Sequence, residues 1–475
     1  MTARASGPAR QPNLLLLMAD QHAAHLLSCA GATHVATPAL DALAAGGTRF
    51  TRAYTTFPLC VPARASMVTG RHPHELGLSG NTVTDAGDGP LEPARDPGSL
   101  GHRLRELGYD TAYAGKWHAL QASAVPEDGF EVVAPFGDHG LAEAASTWLQ
   151  SRSSAERPFA LVVSFDDPHT ICEYARHQPM PYGDVPPPPP TRDLPPLPAN
   201  HGVAAYEPEA LRHEQREAAA MYGTAAYGPD DWRRYRHAYA RLVERADAGV
   251  GIVLAALEDA GLADETVVVY TSDHGDGDAS HGWNQKTALF EETCRVPLIV
   301  RDPRRPEQAA TSPALVSVGL DLLPTALSVA TSQTRQAVGR GIPPGQGAEE
   351  RLEPPAAGLD LLRLLDGGHG HDEVVVETAF GATPGRAGRA LVTERYKYVV
   401  FGWGAHREQL FDLETDPGEM RNLAAESAFD PVLAQLRGRL LNWCRRTGDT
   451  RFLKRLVLPV DTPPEVHREI FAVPY

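Results

Sequence analysis

Among 475 residues, Cys60-Val61-Pro62-Ala63-Arg64, running on as Ala65-Ser66-Met67-Val68-Thr69-Gly70-Arg71, is the stretch best placed to do chemistry. The cysteine stands two residues before a proline and four before an arginine, at what reads as the start of a helix over about 62–69. Proline suits the first helical position, where its missing N–H is not needed. Cys60 is then held at or just before a helix N-terminus, where unpaired N–H groups and the helix dipole favour an anion. Arg64 adds a positive charge one turn further on. A lone cysteine in this position is more often a buried small hydrophobe. What surrounds it decides between the two.

Asp20-Gln21 and Asp273-His274 form the second group. With Cys60 they offer two carboxylates, an amide, an imidazole and a side chain open to modification. Such a set suits one hard divalent ion, Ca2+ first, with Mg2+ and Mn2+ as alternatives, rather than a thiolate-seeking metal. A single strand-end Asp often caps the helix that follows it; two, each followed by a potential ligand, point to a shared ion. Lys116 and His118, His169, and Lys286 stand in three further polar clusters, Gly115-Lys116-Trp117-His118, Asp166-Asp167-Pro168-His169 and Trp283-Asn284-Gln285-Lys286.

The elements that must position these groups follow from the hydrophobic pattern. The apolar run 13–19 stops at Asp20, as a fully buried parallel strand does when it delivers a polar residue to its C-terminal edge. Runs at 111–114, 159–165 and 267–270 end in the same way, and helical stretches near 38–45, 62–69, 100–107 and 231–260 separate the runs. Strand and helix in alternation predict an α/β fold, a large mostly parallel sheet sandwiched by helices. Ligands of such sheets bind beyond the carboxyl ends of the strands, so the polar clusters are expected to converge. The proline-rich segment 179–198 reads as a stiff surface loop, 204–227 as partly helical, and 339–355 as a Gly/Pro loop. After about Gly370 the pattern changes to short strands with tight turns and a helix over 430–447. The chain is thus expected to divide into a catalytic α/β domain, 1–370, and a small C-terminal subdomain, 371–475, of antiparallel sheet plus helix.

The Cys60 run resembles the C-x-P-S/A-R signature, with a following T-G-R, of the type I sulfatases of the alkaline phosphatase superfamily. In that family the cysteine is oxidised after translation to formylglycine. Asn13 to Asp20 resembles the family's first metal-binding strand, with Gln21 where a second acid is common, as in choline sulfatases and phosphonate monoester hydrolases. Ser272-Asp273-His274-Gly275 resembles the second metal segment, and Gly115-Lys116-Trp117-His118 matches a G-K-W-H segment beside the formylglycine. His169 resembles the family's substrate histidine, and Lys286, ahead of Leu289-Phe290-Glu291, its sulfate-binding lysine. Tyr396-Lys397-Tyr398, Leu410-Phe411-Asp412-Leu413 and Asp416-Pro417-Gly418-Glu419 resemble elements of its small C-terminal sheet. The resemblance implies an alkaline-phosphatase-like fold and hydrolysis of a small-molecule or saccharide sulfate ester. Asp20, Gln21, Cys60, Asp273 and His274 would hold the ion, with Arg64, Lys116, His118, His169 and Lys286 around the ester and a formylglycine-generating enzyme needed for maturation. The alternatives are a phosphonate monoester or phosphodiester hydrolase using the same site, and a catalytically silent homologue that only binds.

Charge and composition limit the partners. A net charge of −16 and a pI near 5.6 argue against nucleic acid. Only four of the 44 basic residues are lysine, at 116, 286, 397 and 454, so a lysine inside a motif points to a use for its compact ammonium. Five scattered cysteines do not read as a disulfide framework. The apolar run 14–19 is too short for a signal segment or a membrane span, so a cytoplasmic protein with no membrane association is expected. The tail 451–475 either packs on its own domain or reaches a second copy of the chain.

Overall fold

The computed structural model describes residues 11–81, 98–119, 126–305, 310–338, 357–382 and 384–472; the loop expected at 339–355 lies outside them. Eight strands form the large sheet: β1 (Asn13–Asp20), β2 (Thr48–Tyr54), β3 (Asp110–Gly115), β4 (Glu131–Ala134), β5 (Phe159–Pro168), β6 (Thr266–Ser272), β7 (Leu298–Arg301) and β8 (Ala310–Ser317). Their order is β4-β3-β5-β1-β6-β7-β2-β8. All neighbours pair in parallel except β7, which runs against β6 and β2.

β1 lies between β5 and β6 with all eight residues buried. Leu14, Leu16 and Met18 join one core layer, with Val61, Ala65 and Val68 of the Cys60–Thr69 helix and Leu323 and Leu327 of the Val318–Val338 helix. Leu15, Leu17 and Ala19 join the opposite layer, with Leu40 and Leu43, Leu141 and Leu149, and Val250 and Val253 from three other helices. Helices on both faces explain why the strand reads as an unbroken apolar run. Each buried leucine contributes roughly 1.5–3 kcal/mol relative to exposure. The strand ends carrying Asp20, Lys116, Asp166 and Asp273 consequently share one rim.

The Cys60–Thr69 helix begins two residues earlier than expected. Leu59 is extended (φ −160°) and Cys60 itself is the first helical residue, so Pro62 is the third. Proline remains tolerated there, because its N–H would still be one of the four without an intrahelical partner. Two of the N–H groups at this terminus already have partners. The Val61 N–H donates to Asn81 Oδ1 (3.1 Å), Pro62 has no N–H, and Ala63 donates to the Leu59 carbonyl (3.1 Å). Positive charge near Cys60 therefore comes from side chains.

Four antiparallel strands, β9 (Val374–Ala379), β10 (Ala387–Val392), β11 (Tyr396–Phe401) and β12 (Glu408–Asp412), form the second sheet in the order β12-β11-β10-β9. One face packs Leu391, Tyr398 and Leu410 against Leu436, Leu440 and Trp443 of the Asp430–Thr447 helix. The other packs Val376, Ala390, Val399 and Phe411 against Leu289 and Phe290, just beyond Lys286. In the tail, Phe452 is buried in this small core while Val460 is fully exposed. Among the described residues, no helix is long and apolar enough to cross a membrane, and all five cysteines are unpaired.

Candidate active site

Asp20, Cys60, Asp273 and His274 meet at the sheet rim, each 0% exposed. One ligand atom from each lies within 4.8 Å of the others. His274 Nε2 is 3.8 Å from both Asp20 Oδ1 and Asp273 Oδ1, and 3.3 Å from Cys60 Sγ. His274 Nδ1 is 2.9 Å from the Gly275 carbonyl. A proton on Nδ1 makes that hydrogen bond and leaves the Nε2 lone pair facing the cluster, the arrangement of a metal-binding imidazole. Two carboxylates, an imidazole and the Cys60 side chain this close together could hold one hard divalent cation. Burial disfavours a charged His274, yet Asp273 and Cys60 pull it above the usual imidazole range, as expected where negative charge awaits a cation.

Gln21 stands beside this group with a left-handed backbone (φ 69°). Its N–H donates to Asp273 Oδ1 (3.1 Å), its Nε2 donates to Asp276 Oδ2 (2.7 Å), and its Oε1 accepts from Lys286 Nζ (3.1 Å). Lys286 Nζ also lies 3.2 Å from Cys60 Sγ. Lys116 Nζ bridges Asp20 and Asp166, at 2.8 Å to each. Burial opposes charge on Lys116, but Asp20, Cys60 and Asp166 hold it well above the ordinary lysine range. Burial and Asp20 push the Cys60 thiol up; Lys286, His274 and Lys116 outweigh them and hold it well below the usual thiol range. Asp20, despite its burial, is held well below the usual carboxylate range by Lys116, His169, Arg64 and Lys286.

Arg64 departs from the sequence expectation of a charge on the ester. Its Nε donates to Asp273 Oδ2 (2.6 Å), Nη2 to Asp20 Oδ2 (3.1 Å), and Nη1 to the Lys116 carbonyl (2.7 Å) and Ser164 Oγ (2.9 Å). With 2% exposure, it clamps the outer oxygens of both carboxylates and leaves their inner oxygens to the cluster. His118 (φ 41°) and His169, whose side chain is 23% exposed, line a cavity of about 740 Å3 that opens beside Lys116. His118 Nδ1 is buried and unpartnered among the described residues.

Sequence reasoning named no role for Asp276, Asp138, Tyr235 or Glu291. Asp276 is fully buried and held by Tyr235 Oη (2.9 Å) as well as by Gln21. Asp138 accepts the N–H groups of Asp166 (2.7 Å) and Asp167 (2.9 Å), fixing the end of β5 just before His169. Burial raises its carboxyl to about 7. An acid two residues after His274 was the one sequence signal that could have flagged Asp276.

The loop carrying Lys286 is bent out of ordinary geometry, with positive φ at Gln285 and Thr287, both 74°. Such conformations persist only when their surroundings hold them. Here Thr287 N–H donates to the Pro58 carbonyl (2.9 Å), and Thr378 Oγ1 donates to the Thr287 carbonyl (2.7 Å). Four residues on, Glu291 pairs with the fully buried Lys397 (3.1 Å), which also holds Glu419 (2.8 Å). The Y-K-Y lysine and the Asp-Pro-Gly-Glu glutamate thus fasten the small sheet to the Lys286 loop. Glu291→Gln keeps the shape but weakens the ion pair, and should cost about 1–2 kcal/mol in chemical denaturation.

An eight-stranded, mostly parallel sheet with a carboxylate-imidazole cluster at its carboxyl rim, joined to a small antiparallel sheet, defines a hydrolase of the alkaline-phosphatase-like fold. The Sulfatase family profile matches residues 12–332, and the chain belongs to that family; it is a sulfatase. A Delta 4,5-hexuronate-2-O-sulfatase of Bacteroides thetaiotaomicron is 28% identical over 462 residues, covering 92% of this chain and 90% of its own. The solved structure of a 2-O GAG sulfatase superposes with a TM-score of 0.77 at 26% identity, covering 96% of each chain. A phosphonate monoester hydrolase of Agrobacterium radiobacter shares the fold, with a TM-score of 0.67 at 23% identity over 92% of this chain and 96% of its own.

Proposed function

We propose that the protein hydrolyses a sulfate monoester through a formylglycine made from Cys60. The observation that carries this reading is the position of Cys60, 3.2 Å from the Lys286 ammonium and 3.3 Å from His274 Nε2, inside a buried carboxylate cluster. Asp20, Asp273, His274, the Cys60 side chain and Gln21 would hold a divalent ion, Ca2+ by preference, which would supply Lewis-acid stabilisation of negative charge at the site. Lys116 and Lys286 hold the peripheral sulfate oxygens and stabilise the charge that develops on them. One hydroxyl oxygen of the hydrated formylglycine attacks sulfur, and the ester S–O bond breaks. His169 protonates the departing alcohol. His118 then removes the proton of the second hydroxyl, the C–O bond to sulfate breaks, and the aldehyde re-forms. Water rehydrates it, so no water attacks sulfur. Maturation requires a formylglycine-generating enzyme.

A phosphonate monoester or phosphodiester hydrolase is the second reading. Gln21 favours it, since an amide where the family often has an acid leaves the site less negative toward a charged phosphorus centre. Rates on matched aryl sulfate, phosphate monoester and phosphonate monoester substrates separate the two. The first reading expects the sulfate ester to have the highest kcat/KM; a phosphonate preference of about tenfold, some 1.4 kcal/mol of transition-state binding, replaces it with the second.

A further inference from the structure

We infer that the cavity beside Lys116 and His169 receives the alcohol part of the ester and is built for an uncharged, hydroxyl-bearing ring, a neutral saccharide, not for a ring carrying a second anion. The inference rests on the sulfate-ester reading above. At about 740 Å3 the cavity falls in the range of small-ligand sites, roughly 300–1,000 Å3. Its mouth is apolar and open: Phe136 is 62% exposed and Val132 47%. Tyr182 forms part of the wall, its ring fixed edge-on by His139 and its hydroxyl bonded to Asp166 Oδ2 (3.0 Å). Aromatic faces of this kind match the C–H faces of a sugar ring, while polar groups beside them set its orientation.

Beyond Lys116, His118 and His169, the polar lining includes a carboxylate. Glu173 lines the cavity, and its Oε2 is out of contact with water and has no hydrogen-bond partner among the described residues. A buried acceptor left unpaired is costly. Of the described residues lining the cavity, Lys116 and the protonated His169 carry positive charge; Asp20 and Asp166 hold the Lys116 ammonium, and in the reading above both cations serve the sulfate ester and its leaving oxygen rather than the rest of the ring. No arginine lines the described wall, in a chain where all but four of 44 basic residues are arginine. A carboxylate or second sulfate on the ring would face Glu173 with no guanidinium to receive it, and like charges brought together out of water are strongly disfavoured.

The test is kcat/KM of the mature, metal-loaded enzyme for a neutral hexose monosulfate and for the corresponding uronic acid monosulfate, in wild type, Glu173→Gln and Glu173→Lys. An aryl sulfate serves as the wild-type control. Wild type should favour the neutral sugar by about tenfold or more, and Glu173→Lys should shrink that ratio by about tenfold, mainly through KM, with Glu173→Gln between them. A wild-type preference for the uronate, or a ratio unmoved by Glu173→Lys, overturns the inference. Hydrolysis of the aryl sulfate but of neither sugar overturns the saccharide assignment alone. Failure on all three esters overturns the sulfate-ester reading itself.

Discussion

Cys60→Ala should lower kcat by roughly ten-thousandfold or more and leave a folded protein, because it deletes the one group that can become the nucleophile. Cys60 is 0% exposed, and its Sγ lies 3.2 Å from Lys286 Nζ and 3.3 Å from His274 Nε2. The remaining lysines, histidines and carboxylates would still bind and polarise the ester, which leaves a small background rate. Steady-state kinetics on an aryl sulfate, with the melting temperature as a folding control, reads the effect. Retention of more than about one hundredth of the wild-type rate would mean that another group attacks sulfur.

The second large effect falls on stability. Arg64→Met should destabilise the protein by about 3–5 kcal/mol, the cost of leaving a buried charge uncompensated. Arg64 Nε holds Asp273 at 2.6 Å and Nη2 holds Asp20 at 3.1 Å, so the substitution leaves two fully buried carboxylates without their guanidinium, facing Lys116, Lys286, His169 and His274. Arg64→Lys should recover only part of the loss, since an ammonium lacks the planar fork that reaches both acids. A divalent cation should recover more in the variant than in wild type, as ligand binding stabilises by about 2.7 kcal/mol at one hundred times the dissociation constant. Denaturation curves with and without chelator check this. A variant within about 0.5 kcal/mol of wild type in chelator would show that Arg64 is not what offsets the carboxylates.

The site was legible where local pattern and chemistry coincide. An apolar run ending in an acid marks a strand and its rim position at once, and Asp20 and Asp273 therefore come together across 252 intervening positions with no long-range information. The scarcity of lysine was a true signal: Lys116, Lys286 and Lys397 are all buried and held by fixed partners. The sequence could not say that Arg64 would turn to Asp273 rather than to a ligand, because that choice depends on how a helix and a strand end 209 residues apart are packed. Strands β2, β4, β7 and β8 were not read from the pattern. β4 and β7 are four residues long, and β8, an edge strand, contains Pro313, which an edge can carry and a central strand cannot. The C-terminal motifs were visible as motifs, but the ion pairs that fasten them to the Lys286 loop follow only from tertiary packing.

The central claim is the conversion of Cys60. Peptide mass spectrometry on the fragment containing Cys60, from active protein purified out of its native host, tests it most directly. The expected result is the mass of the aldehyde or its hydrate at position 60, in a fraction that rises with specific activity across preparations. An unmodified thiol in protein that still hydrolyses sulfate esters at full rate would contradict it.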